Sequence, residues 1–127
     1  MIVLITLAIS GTLFLAFGLF LFFSPASIDL AKVIAEHPTA LTEIRSFYGG
    51  LEIGLGLFLL YALRDDSLGF RAIMLAALDL CGIVLGRFLG AFLDGISGSY
   101  LYYALAMELP ACLLALYSLY SLKQGSV

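Results

Sequence analysis

Four long apolar stretches restrict what this chain of 127 residues can fold into. They lie at about residues 1–23, 43–63, 70–93 and 100–120. Each is close to the roughly 20 mostly apolar residues that a transmembrane helix needs. The sequence therefore predicts an all-α integral membrane protein, in which the four stretches form a four-helix bundle.

The overall composition points to the same class of protein. The chain is 63% hydrophobic and 12% charged, whereas a soluble domain is about 45–50% apolar and about 25% charged. Its net charge is −3, without a basic tract, which argues against nucleic-acid binding. The length suits a single membrane domain over residues 1–127.

Polar segments separate the four predicted spans. No basic region precedes the first span, so we expect it to be retained and not cleaved as a signal peptide. In residues 28–42, apolar positions recur at helical spacing among charges, which predicts a short amphipathic surface helix between helices 1 and 2. Tight turns are predicted at 64–67 and 94–99, and a kink at Pro110.

The distribution of lysine and arginine predicts the orientation in the membrane. Arg64, Arg71 and Lys123 flank one side of the bundle, and Lys32 and Arg45 flank the other. Because basic residues favour the cytoplasmic side, both termini are expected in the cytoplasm.

Ionisable residues inside or at the edges of the apolar stretches are the most informative chemical feature. A charge at the centre of a bilayer costs roughly 2.5–3.5 kcal/mol on insertion scales. Several such groups are therefore expected to face each other or a water-filled interior. These residues are Glu43, Arg45, Glu52, Asp79, Arg87, Asp94 and Glu108.

In the third predicted span, the charges and the small residues fall on one face. At about 100° per residue, Arg87 and Asp94 lie within about 80° of Asp79. On its other side, a ladder of glycines lies within about 60° of Asp79. Such ladders let helix backbones approach closely, so we expect a packing contact there. The ladder consists of Gly82, Gly86 and Gly90.

In the second span, the same step of about 100° per residue places Arg45 about 20° and Tyr48 about 40° from Glu52 around the helix axis. Glu52, Asp79 and Glu108 all lie near the middle of their spans, close to the bilayer midplane. We therefore predict a ligand-binding pocket within the bundle. Its predicted residues are Arg45, Tyr48, Glu52, Asp79, Arg87 and Glu108.

Two arginines can hold about two carboxylates in the ionised form, which leaves one acid in surplus. This acid is the candidate for carrying a proton or for binding a cationic ligand. Glu108, next to the proline kink and without an arginine on its own helix, is the preferred candidate, and Glu52 is the other. Alternatively, these charges only hold the helices together.

The sequence predicts neither a metal site nor a cofactor. His37 has no cysteine or histidine near it, so a metal-ligand pattern is missing. Cys81 and Cys112 lie in apolar segments and do not form a CxxC pair. We interpret them as small buried hydrophobic residues.

The run Arg45-Ser46-Phe47-Tyr48-Gly49-Gly50, followed by Asp79, Arg87 and Glu108, carries a family resemblance. Over roughly residues 40–120 the chain resembles a bacterial family of small four-span membrane proteins of unknown function, which looks related to the DoxX-like proteins. The Arg-x-x-Tyr-Gly-Gly run is the most specific part. The resemblance implies a four-helix bundle in a bacterial inner membrane, without an established activity.

Three classes of function fit these observations. The first is a membrane protein that binds a lipid-like or amphipathic small molecule at the predicted pocket. The second is a membrane-embedded acid–base enzyme of the isomerase type, acting on a lipid-soluble substrate. The third is a transporter, whose pore would form between several copies of the chain, or a structural subunit of a larger complex. The lipid bilayer is the expected partner in every case.

Overall fold

The structure is a computed structural model that describes residues 1–34, 36–94 and 99–124. The first helix, α1, is followed by a short α2, and a π-helical segment joins α2 directly to α3. Two longer helices, α4 and α5, complete the chain, and the described residues contain no strand. The bounds are Ile2–Phe23 for α1, Pro38–Ile44 for α2, Arg45–Gly50 for the π-helical segment, Leu51–Tyr61 for α3, Gly69–Asp94 for α4 and Ser99–Gln124 for α5.

Among the described residues, four helical stretches are long and apolar enough to cross a membrane: Ile2–Phe23, Pro38–Arg64, Asp66–Leu93 and Leu101–Gln124. The predicted all-α architecture with four spans is therefore confirmed. Many large apolar side chains point outward from these helices, including Phe92, which is 85% exposed. Such a surface suits hydrocarbon, because lipid tails are as apolar as leucine.

The first connection differs in its boundaries from the prediction of a surface helix over residues 28–42. A short 3₁₀ helix, Pro25–Ala31, ends at Lys32, whose backbone is left-handed with a φ of 62°. The second span then begins at Pro38, before the predicted residue 43. It begins there because proline suits the first turn of a helix, and the His37 side chain caps the helix by accepting from the Thr39 N–H.

The two predicted turns have different outcomes. At residues 64–67 the chain turns between the 3₁₀ helices Ala62–Arg64 and Asp66–Leu68. The Asp65 carboxylate stabilises this turn by accepting hydrogen bonds from both the backbone N–H and the hydroxyl of Ser67. The turn predicted at 94–99 falls on residues 95–98, which lie outside the described part of the chain.

The α1 helix is the central element of the bundle. It packs extensively against α3 on one side and against α5 and α4 on the other, while α4 and α5 also pack against each other. By contrast, α3 and α4 have little contact. The main core joins apolar side chains from all four spans, among them Leu7, Phe14, Leu59, Ile73 and Ala115.

Two pairs of glycines bring α1 into close contact with the second span. Gly11 lies against Gly56, and Gly18 lies against Gly49. A Cβ atom on Gly56 would lie 2.5 Å from the Leu15 backbone nitrogen and 2.8 Å from the Gly11 carbonyl oxygen. Because these distances leave no room for a methyl group, the two backbones are in direct contact, as in other small-residue helix pairs in membranes.

The first and last spans share a buried polar contact. The hydroxyl groups of Thr6 in α1 and Ser118 in α5 form a hydrogen bond of 2.6 Å, and both side chains are fully buried. Because the Thr6 hydroxyl donates its one proton to the backbone carbonyl of Ile2, it accepts the hydrogen bond from the Ser118 hydroxyl. The first span thus holds the bundle together through glycines and a hydroxyl, and it carries no charged side chain.

Candidate functional site

An ion pair links the last two helices at the centre of the candidate site. The Arg87 guanidinium of α4 donates through Nε to Oε2 of Glu108 in α5, and through Nη2 to Oε1 at 2.6 Å. Paired hydrogen bonds of this kind fix both the distance and the orientation of the two groups.

Glu52, in the first turn of α3, has a buried carboxylate oxygen without a hydrogen-bond partner among the described residues. This oxygen is Oε2. Asp79 and Glu108 are close enough for their charges to act on Glu52. Next to Glu52 is the close α1–α3 contact, since a Cβ atom on Gly18 would lie 3.0 Å from its Cβ.

Asp79 lies on α4, between its core-facing and open sides, and is half-buried. Its side chain makes neither a hydrogen bond nor an ion pair with another described residue. The predicted glycine contact on the same face is not formed, because a Cβ atom on Gly82 or Gly86 would meet nothing within 4 Å. The surroundings of Gly90, the third member of that ladder, are not among those that the structure describes.

Arg45 and Tyr48 are placed apart from the acids. Both side chains are exposed, Tyr48 by 51%, and neither forms a hydrogen bond or ion pair inside the described ranges. The reason is the π-helical segment Arg45–Gly50. Its i→i+5 hydrogen bonds fit more residues into a turn, so the 100° step used to align Arg45 with Glu52 does not apply there.

The structure thus brings together four of the six predicted pocket residues: Glu52, Asp79, Arg87 and Glu108. Because Arg87 engages Glu108, the acids left without a cation in this arrangement are Glu52 and Asp79. This differs from the expectation that Glu108 is the surplus acid. The role of proton carrier remains a prediction for Glu52 and for Glu108, and the geometry favours Glu52.

Surface depressions occur away from this cluster. One lies on α1 along Ala8, Ile9, Thr12 and Leu13, and another lies beside the 3₁₀ helix Pro25–Ala31. None of the six predicted residues lines either depression, so the pocket stays a prediction. Among the residues that the structure describes, no group of three His, Cys, Asp or Glu side chains is arranged to hold a metal ion.

A family model described as "Domain of unknown function (DUF4345)" matches residues 2–119. The chain therefore belongs to this family. The match includes the first span, which the resemblance over residues 40–120 did not cover. No curated protein and no solved structure matches the chain. The run on which the resemblance rested, Arg45–Gly50, is the segment that adopts the π-helix.

Proposed function

We propose that this family member binds a lipid-like or amphipathic small molecule, whose polar end contacts Glu52 and Asp79 between α3 and α4. The observation that carries the proposal is the buried Oε2 atom of Glu52, for which the described chain offers no hydrogen-bond donor. A buried acceptor without a partner is costly, and more so at bilayer depth. A ligand that supplies a donor removes this cost.

The local charge indicates what kind of polar end fits best. Asp79 and Glu108 are near enough to Glu52 for their charges to act on it, and the Arg87 guanidinium forms its paired hydrogen bonds with Glu108. The remaining acids favour a group that donates hydrogen bonds and carries positive charge, such as an amine. An anionic headgroup would be repelled by Glu52 and Asp79.

The helices leave room for such a molecule on the side of α4. Gly82 and Gly86 present no side chain on the face that carries Asp79, and the space beside them is open. Contacts between α3 and α4 are few. The apolar part of the ligand would lie against exposed leucines of the same helix, for example Leu78 and Leu85.

Replacing Glu52 with glutamine is expected to weaken binding of a long-chain alkylamine at least tenfold. The amide keeps the size of the side chain but removes the negative charge that attracts the ammonium group. Binding is measured by native mass spectrometry of the protein released from nanodiscs, which also reports the number of chains per particle. The probes are dodecylamine and, as the uncharged comparison, dodecanol.

Glu43→Gln serves as the matched control, because Glu43 is exposed and lies outside the cluster. It should leave dodecylamine binding unchanged. Circular dichroism of each variant establishes that the helices are intact. Equal affinity for the amine in the native protein, Glu52→Gln and Asp79→Asn would remove the proposal.

We infer the cellular setting from the charge bias and from the family resemblance. The chain is proposed to lie in the bilayer of a bacterial inner membrane, with both termini in the cytoplasm. We also propose that it is related to the DoxX-like proteins and that it forms homo-oligomers. Reporter domains fused after residue 127 are expected to be active only in the cytoplasm. Activity of a periplasm-dependent reporter at that position would show that the C-terminus lies in the periplasm and would contradict the proposed orientation.

A further inference from the structure

Two cysteines that are far apart in the sequence meet between α4 and α5. The Sγ atoms of Cys81 and Cys112 lie 3.1 Å apart, although 31 positions separate the two residues. Both are free thiols, with Cys112 buried and Cys81 partly exposed. Interpreted from the sequence, they are unrelated hydrophobic residues, because nothing in their spacing predicts that they meet across two helices.

We propose that Cys81 and Cys112 are an oxidative modification site, at which a peroxide converts the two thiols into a disulfide that links α4 to α5. An S–S bond is roughly 2.05 Å long, so the sulfur atoms must approach by only about 1 Å. Two of the residues close to the cysteines along their helices, Ala77 and Ala111, are small and buried. Such a shift therefore displaces no bulky side chain at these positions.

The difference in exposure assigns the order of the reaction. The partly exposed Cys81 reacts first: as a thiolate it attacks one oxygen of hydrogen peroxide, the O–O bond breaks, and the leaving hydroxide takes a proton to become water. The product is a sulfenic acid on Cys81. The buried Cys112 sulfur then attacks the Cys81 sulfur, the S–O bond breaks, and the leaving hydroxide takes the Cys112 thiol proton to depart as a second water.

The atoms and electrons of this reaction balance with hydrogen peroxide as the only co-reactant. Two thiols lose two protons and two electrons, and one peroxide is reduced to two waters. The second step is intramolecular and starts from sulfur atoms already in contact, which raises its rate over any reaction between separate molecules. A neighbouring resolving cysteine is also the arrangement typical of redox-responsive thiols.

The proposed disulfide would reinforce an interface that already carries a polar link. The Arg87–Glu108 pair joins the same two helices, six positions along α4 from Cys81 and four positions along α5 from Cys112. At 1.5 Å per residue, the two links lie roughly 6–9 Å apart along the helices. Oxidation would therefore fix α4 against α5 directly beside the candidate site.

The test uses purified full-length protein in nanodiscs, treated with hydrogen peroxide. The sample is then unfolded in SDS with N-ethylmaleimide present, and its intact mass is measured. We expect a monomer that is lighter by two hydrogen atoms and carries no maleimide. Reduction with dithiothreitol before alkylation should restore two maleimide adducts per chain.

Cys112→Ser is the informative variant, because it removes the resolving thiol and keeps the first. After peroxide, it should retain a sulfenic acid on Cys81 that reacts with dimedone, and it should form no intramolecular link. Two alkylatable thiols in the peroxide-treated native protein would overturn the proposal. Disulfide-linked dimers in place of the lighter monomer, or dimedone labelling of Cys112 in Cys81→Ser with equal speed, would overturn it as well.

Discussion

Replacing Gly56 with alanine is expected to lower the free energy of unfolding by about 1–3 kcal/mol, the usual cost of forcing extra volume into a packed interface. The new methyl group would lie 2.5 Å from the Leu15 nitrogen and 2.8 Å from the Gly11 oxygen. Both obstacles are backbone atoms, so no side-chain rotation relieves the collision and α1 must move away from α3. Unfolding in mixed micelles with rising SDS, followed by circular dichroism, measures the change.

Gly54→Ala is the matched control, two residues earlier on the same helix. A Cβ atom there would meet nothing within 4 Å. Alanine is favoured over glycine within a helix by up to about 1 kcal/mol, so this variant should be at least as stable as the native protein. A Gly56→Ala protein as stable as Gly54→Ala would show that α1 and α3 do not cross as closely as described.

Removing Arg87 is expected to destabilise the bundle by about 2 kcal/mol, at the low end of the cost of truncating one partner of a buried charge pair. The low end applies because Arg87 and Glu108 side chains remain 28% and 20% exposed. In Arg87→Met, the Glu108 carboxylate loses both of its hydrogen bonds from α4. The same SDS titration measures the loss.

The double variant Arg87→Met with Glu108→Met separates this cost from the value of the pair. Two apolar groups leave no charge without a partner, and such replacements are often neutral or stabilising. We therefore expect the double variant to recover most of the lost stability. Arg71→Met, which alters an exposed arginine at the start of α4, should have little effect. If Arg87→Met alone is as stable in the SDS titration as Arg71→Met, the assigned pairing of Arg87 with Glu108 is contradicted.

The sequence predicted the parts of this structure that depend on hydropathy and regular geometry. The four spans follow from the lengths of the apolar runs, and the Arg87–Glu108 pair agrees with the expectation that charges in neighbouring spans face each other. Both α4 and α5 are assigned as single helices, α5 running through Pro110, although the glycine contact predicted on α4 is not formed. Periodicity thus indicates which residues share a face of a helix, but not which neighbouring helix that face contacts.

Periodicity could not predict the site where a helix is irregular, or where a side chain contacts a residue on a different helix. The π-helical geometry of Arg45–Gly50 moved Arg45 and Tyr48 away from the acids, and no periodicity rule predicts such a segment. Which acid receives Arg87 depends on the relative rotation of α4 and α5, a property of the assembled bundle. The meeting of Cys81 with Cys112 has the same origin.

The glycine contacts between α1 and the second span also determine which side of Glu52 is closed off by backbone. At Gly18 and Gly49 the helices touch backbone to backbone beside Glu52, so the flank of Glu52 that faces α1 is sealed even against a methyl-sized group. The flank toward α4 has few helix contacts and glycines without obstruction. For the proposed ligand, we therefore expect the approach to Glu52 to run along the α4 side of α3, with α1 closing the opposite side.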